Sequence, residues 1–96
     1  MFATVRRYSG VSPEAGEELA RRREEIQALV SAVPGFWAYH LLRTSDGVAS
    51  VTVCADEAAV VEAGRRVAAW IRAHLPGLLP RPPEIAAGEV LIHAGR

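Results

Sequence analysis

The stretch Val33-Pro34-Gly35-Phe36-Trp37-Ala38-Tyr39-His40-Leu41-Leu42-Arg43 decides the fold, together with the turn Ser45-Asp46-Gly47 that follows it. Pro34-Gly35 punctuates: it ends the long helix before it. The aromatic run after it reads as a strand, and Val48 to Ala55 as its return. With Asp46-Gly47 as a two-residue type I′ turn, Ser45 pairs with Val48, His40 lies opposite Val53, and Leu42 lies opposite Val51. One face of the hairpin then carries Phe36, Ala38, His40, Leu42, Val51, Val53 and Ala55. The other carries Trp37, Tyr39, Leu41, Arg43, Ser50, Thr52 and Cys54. The first face, more uniformly apolar, is expected under the helices. A longer loop with a bulge would shift that assignment.

Upstream, Phe2 to Tyr8 alternates and is rich in aromatic and β-branched residues, the pattern of a strand. Ser12-Pro13-Glu14 is a helix start, with Ser as N-cap and Pro at the first position. A single helix is expected from there to Pro34-Gly35, with the stripe Ala15, Leu19, Ile26, Leu29, Val30 and Val33 turned inward. Glu14, Glu17 and Glu18 precede Arg21, Arg22 and Arg23 at spacings that pair along a solvated face.

Downstream, Asp56-Glu57 opens a second helix to about His74, with Val60, Ala63, Gly64, Val67, Trp70, Ile71 and His74 on one stripe. Leu75 to Pro83 holds four prolines and forms a stiff connection, its leucines laid against something apolar. Glu84 to His93 reads as a last strand. The order strand, helix, strand, strand, helix, strand predicts a single α+β domain over residues 1–96, ferredoxin-like βαββαβ with a four-stranded antiparallel sheet and both helices on one face.

The chain is half hydrophobic and carries eleven basic and eleven acidic residues. That balance argues against nucleic-acid or anionic-membrane binding, which draws its affinity from a basic surface. The lone Cys54 permits no intrachain disulfide, and no apolar run has the length of a signal peptide or a membrane span. A cytoplasmic protein is the expectation. A domain of this size leaves much apolar surface uncovered, and a homodimer through the sheet face, with Trp37, Tyr39 and Tyr8, would bury it.

The opening strand Phe2-Ala3-Thr4-Val5-Arg6-Arg7-Tyr8, the Val33-Pro34-Gly35-Phe36 junction, the Asp46-Gly47 hairpin and Val51-Thr52-Val53 before an acid-capped helix resemble the dimeric α+β barrel superfamily, in particular antibiotic-biosynthesis-monooxygenase-like proteins. The resemblance implies a homodimer whose two sheets form a barrel, with a pocket between helices and sheet in each subunit. It implies, as activities to consider, cofactor-independent oxidation of aromatic molecules, or a non-catalytic ligand-binding or stress-related module. Haem-degrading members use an Asn on the first strand with Trp and His near the second helix. This chain has Thr4 or Arg6 there and Trp70 and His74 only four apart, so haem chemistry is not carried over and no cofactor is expected.

The residues able to carry chemistry are few. Trp70 and His74 lie one helical turn apart, and in the hairpin reading His40 points toward the same layer, so Trp70, Phe36, His40 and His74 form the expected substrate pocket. His74 and His40 are the candidate proton-transfer groups, since imidazole titrates near neutrality. The plainer reading makes Trp70 core packing and His74 a helix-end residue favoured by the dipole. No ligand spacing supports a metal among His40, His74, His93 and Glu89. Cys54 reads as a small buried thiol rather than a nucleophile. No glycine-rich phosphate loop follows any strand.

Overall fold

A computed structural model describes residues 1–95. Strand β1 (Phe2–Ser9) is followed by helices α1 (Pro13–Arg21) and α2 (Arg23–Ser31), the hairpin β2 (Phe36–Thr44) and β3 (Gly47–Cys54), helix α3 (Glu57–His74) and strand β4 (Glu84–Glu89). The sheet order is β2-β3-β1-β4, all pairs antiparallel, with β1 and β3 central. This is the ferredoxin-like arrangement expected from the element order.

The expected first helix is two. Arg22 leaves helical geometry (φ −100°, ψ 18°), and its N–H donates to the Leu19 carbonyl at 3.1 Å. The break re-aims the inward stripe and keeps most of it: Ala15, Leu19, Ile26, Val30 and Val33 are buried, and Leu29 is half-buried. Each of the buried leucine, isoleucine and valine side chains among them contributes about 2 kcal/mol by leaving water. α3 starts as its sequence dictates, with extended Asp56 accepting a hydrogen bond from the Ala59 N–H at 2.9 Å. The last strand is shorter than expected, ending at Glu89, and Leu91 and Ile92 beyond it are exposed.

The hairpin differs from expectation in register and in orientation. Thr44 pairs with Gly47, so Ser45-Asp46 form the turn, and His40 faces Val51 rather than Val53. Among the described residues none other than glycine has positive φ, and Gly47 does not either, which excludes a type I′ turn on Asp46-Gly47. Gly47 is required for a different reason: a Cβ there would collide with the Tyr8 carbonyl oxygen of the neighbouring strand.

The orientation turns on a one-residue bulge at Trp37, where the β2–β3 register shifts between Phe36 and Ala38. Phe36 packs with the buried cluster of Val33, Cys54, Ala59, Val60 and Ala63. After the bulge the alternation restarts in opposite phase, so Tyr39 and Leu41 also face the helices, packed with Leu19, Ile26 and Val48. On β3 the helix side is Val48, Ser50, Thr52 and Cys54, all buried. Ala38, His40, Leu42, Val51 and Val53 therefore lie on the face away from the helices, the reverse of the expectation. The expectation failed because it matched the more apolar face to the helices. The helix side carries hydroxyl groups instead, and the more apolar face has no covering layer among the described residues.

Candidate functional site

The hydroxyl groups on the helix side surround a space. Alternation on β1 sends Phe2, Thr4, Arg6 and Tyr8 toward the helices, and across the sheet Thr4 pairs with Thr52, Arg6 with Ser50 and Tyr8 with Val48. α3 comes close over this row because it carries Ala63 and Gly64. A Cβ on Gly64 would overlap the Arg6 guanidinium, so the arginine lies directly under the helix. Leu19 and Ile26 from α1 and α2, Val67 and Ile71 from α3, and Leu79 from the proline-rich connection close the rest.

The result is a slot of about 480 Å³ counting its open ends, of which about 20 Å³ accepts the centre of a water molecule. Its walls are aliphatic, and its polar groups are the Arg6 guanidinium, the phenols of Tyr8 and Tyr39, and the hydroxyls of Ser50 and Thr52. Burial pushes the Tyr39 phenol up to about 12, with neighbouring Tyr8 adding to the shift and Ser50 and Arg6 opposing it. The phenol is neutral at physiological pH and available as a hydrogen-bond donor. The slot opens at two ends. One cleft, between α1, α2 and the β2 edge, shares Leu19, Ile26, Tyr39 and Leu41 with it. The other, between α3, the proline-rich connection and β4, shares Arg6, Tyr8, Ala68, Ile71 and Leu79.

The expected pocket residues Trp70, Phe36, His40 and His74 are dispersed around this slot and none lines it. Phe36 belongs to the packed cluster with Val33 and Cys54. His40 is exposed on the free face of the sheet. Trp70 packs on the edge of the Leu19–Ile26–Val48 cluster, and its indole is already engaged: the Arg22 guanidinium lies 5.0 Å from its ring centre and the His74 ring stacks on it at 4.9 Å. His74 is exposed, with Nδ1 3.0 Å from the Trp70 carbonyl oxygen. Tyr8 and Tyr39, expected at a dimer contact, line the slot, whereas Trp37 is 55% exposed with His93 edge-on to it at 6.2 Å. Cys54 is fully buried, and that burial pushes its thiol up, away from the thiolate. Among the described residues, no three His, Cys, Asp or Glu side chains gather as a metal site would require. No helix among them is long and apolar enough to cross a membrane.

Sequence reasoning missed Arg6, Ser50 and Thr52. A signal was present: central strands with polar residues at every second position line something other than a dry core.

No protein-family model and no curated protein matches the sequence. Solved structures do match its fold. A protein of unknown function from Nitrosomonas europaea is 25% identical with a TM-score of 0.78, covering 99% of this chain and 93% of that one. The haem degrader MhuD from Mycobacterium tuberculosis, with two haems bound in its active site, is 23% identical with a TM-score of 0.70, covering 99% and 100%. A monooxygenase of Streptomyces coelicolor, in complex with nanaomycin D, is 24% identical with a TM-score of 0.67, covering 96% and 92%. The chain thus has the fold of antibiotic-biosynthesis-monooxygenase-like proteins.

Proposed function

We propose that this protein binds a small hydrophobic or aromatic molecule in the slot between helices and sheet. The observation that carries the reading is the lining: aliphatic walls with two phenols, two hydroxyls and a guanidinium converging from β1, β2 and β3. A dry core has no use for that polar set, whereas a ligand site needs a few oriented polar groups in an apolar cleft. Two structures of the same fold, the haem degrader with two haems and the monooxygenase with nanaomycin D, are complexes with small molecules. The space for water is narrow, so admission of a ring requires the side chains lining the slot to move apart.

Isothermal titration of a panel of naphthols and hydroxyanthracenes tests this. We expect saturable binding, one molecule per chain, weakened at least about tenfold by Ala68→Trp, which fills the shared wall of slot and cleft. Absence of saturable binding, or binding indifferent to the Ala68→Trp plug, sinks the reading. Oxygen uptake with the same compounds, no metal added, separates a cofactor-independent oxygenase from the alternative, a non-catalytic binding module.

The same reading includes a homodimer, with a different surface from the aromatic one expected. Val5 and Leu42 are 41% and 44% exposed on the free face, beside Ala38, Val51 and Val53. Its only charged pair in register, Arg7 and Glu84, stands at one end. A second copy offers the same uncharged patch, which a two-fold contact requires.

A further inference from the structure

We propose that the molecule taken by the slot is an organic acid, an apolar body carrying a carboxylate, held by the arginines at the slot's mouth. The inference rests on the slot-binding reading and names its ligand class. Its basis is where the unpaired cations lie. Five of the described arginines, Arg7, Arg21, Arg22, Arg65 and Arg66, are ion-paired with Asp46, Glu18, Glu25 and Glu62. The other five described arginines have no such pair, and every one of them lines a mouth of the slot. Arg6, Arg72 and Arg81 face the cleft between α3 and β4, and Arg23 and Arg43 face the cleft beside β2.

No Asp or Glu lines either cleft. In a chain with as many acids as bases, that segregation is costly, because like charges around one depression repel without a counter-ion. A bound carboxylate removes the repulsion and accepts bidentate hydrogen bonds from a guanidinium. The cleft between α3 and β4 is the better anion site of the two. It holds three arginines from three separate elements: Arg6 on β1 beneath Gly64, Arg72 near the end of α3, and Arg81 in the proline-rich connection, laid over the Gly10 turn. The prolines of that connection limit its freedom and hold Arg81 in place at little entropic cost. Arg6 and Tyr8 belong to slot and cleft together, so the head group and the apolar body occupy one continuous site.

A matched pair of probes tests this, 2-naphthoate against 2-naphthalenemethanol, titrated into the full chain by calorimetry. The acid is expected to bind about tenfold or more tighter than the alcohol at low salt, with the advantage shrinking as sodium chloride is raised. Arg72→Gln with Arg81→Gln, both at exposed positions, should bring the two probes within about twofold, whereas Arg21→Gln with Arg65→Gln, an equal loss of charge away from both clefts, should leave the preference unchanged. Equal binding of acid and alcohol, or an acid preference that survives the double variant, overturns the carboxylate site and leaves slot binding intact. Failure of both probes to bind overturns the slot reading and this inference with it.

Discussion

Tyr39 shows how one residue links the fold to its chemistry. Its ring helps fill the layer between sheet and helices, and its hydroxyl, beside Ser50, is held neutral by burial that moves it from 10.0 to about 12. The folded state therefore holds the phenolic proton more tightly than the unfolded chain does. That contribution to stability is complete below about pH 10 and is lost as pH rises toward 12. Urea midpoints compared at about pH 9 and about pH 11.5 should fall for the wild type, and fall less for Tyr39→Phe. An equal fall in both proteins would mean that the phenol titrates as it does in water. Tyr39 was read from sequence as a contact aromatic on the outer face. Its side is set by the bulge two residues earlier, which no residue type announces.

At the scale of elements, α3 is the most self-determined part of the chain. It begins at a capping aspartate, ends at Leu75 before Pro76, and carries a clamp in which Arg65 and Arg66 together draw the Glu62 carboxyl down to about 2. Removing the cap with Asp56→Ala should cost about 1 kcal/mol in chemical denaturation, with a native far-ultraviolet spectrum retained. A loss within error would show that packing alone fixes the helix start. The strands, α3 and the strand order were legible because caps, alternation and Pro34-Gly35 are local signals. The break at Arg22 was not, since Arg21-Arg22-Arg23 has good helix formers throughout; Leu19 before it and Ile26 after it lie in one buried cluster. The slot was legible only in part: Arg6, Ser50 and Thr52 are conspicuous by alternation, but the histidines drew the functional reading by their chemistry although the fold leaves them outside.

For the whole molecule, the two faces of the sheet divide the work. The helix-covered face holds the slot, and the bare face holds the apolar residues that a lone copy exposes to water. Sedimentation should give about twice the 10.3 kDa chain mass. Val51→Arg, in the middle of the free face, should give the chain mass with an unchanged far-ultraviolet spectrum, because an unpaired charge in a desolvated contact costs several kcal/mol. A wild type that sediments at the chain mass would remove the dimer from the reading and leave the slot untouched.

The extra residue at Trp37 has a consequence for how such a chain can change. Along β2 almost any side chain can be exchanged one at a time, because each alters only its own contact. Residue number between Gly35 and Tyr39 is a different kind of variable. Deleting one residue there removes the bulge and leaves Phe36 and Tyr39 on the same face, whereas pairing the present residues without the bulge rotates everything from Ala38 to Thr44 half a turn about the strand, unless Phe36 gives up its place under α3. Tyr39 and Leu41 would be delivered to the outside and His40 and Leu42 to the inside, so that the wall of the ligand site and the surface for a second copy trade places. In this strand, spacing carries information that composition does not.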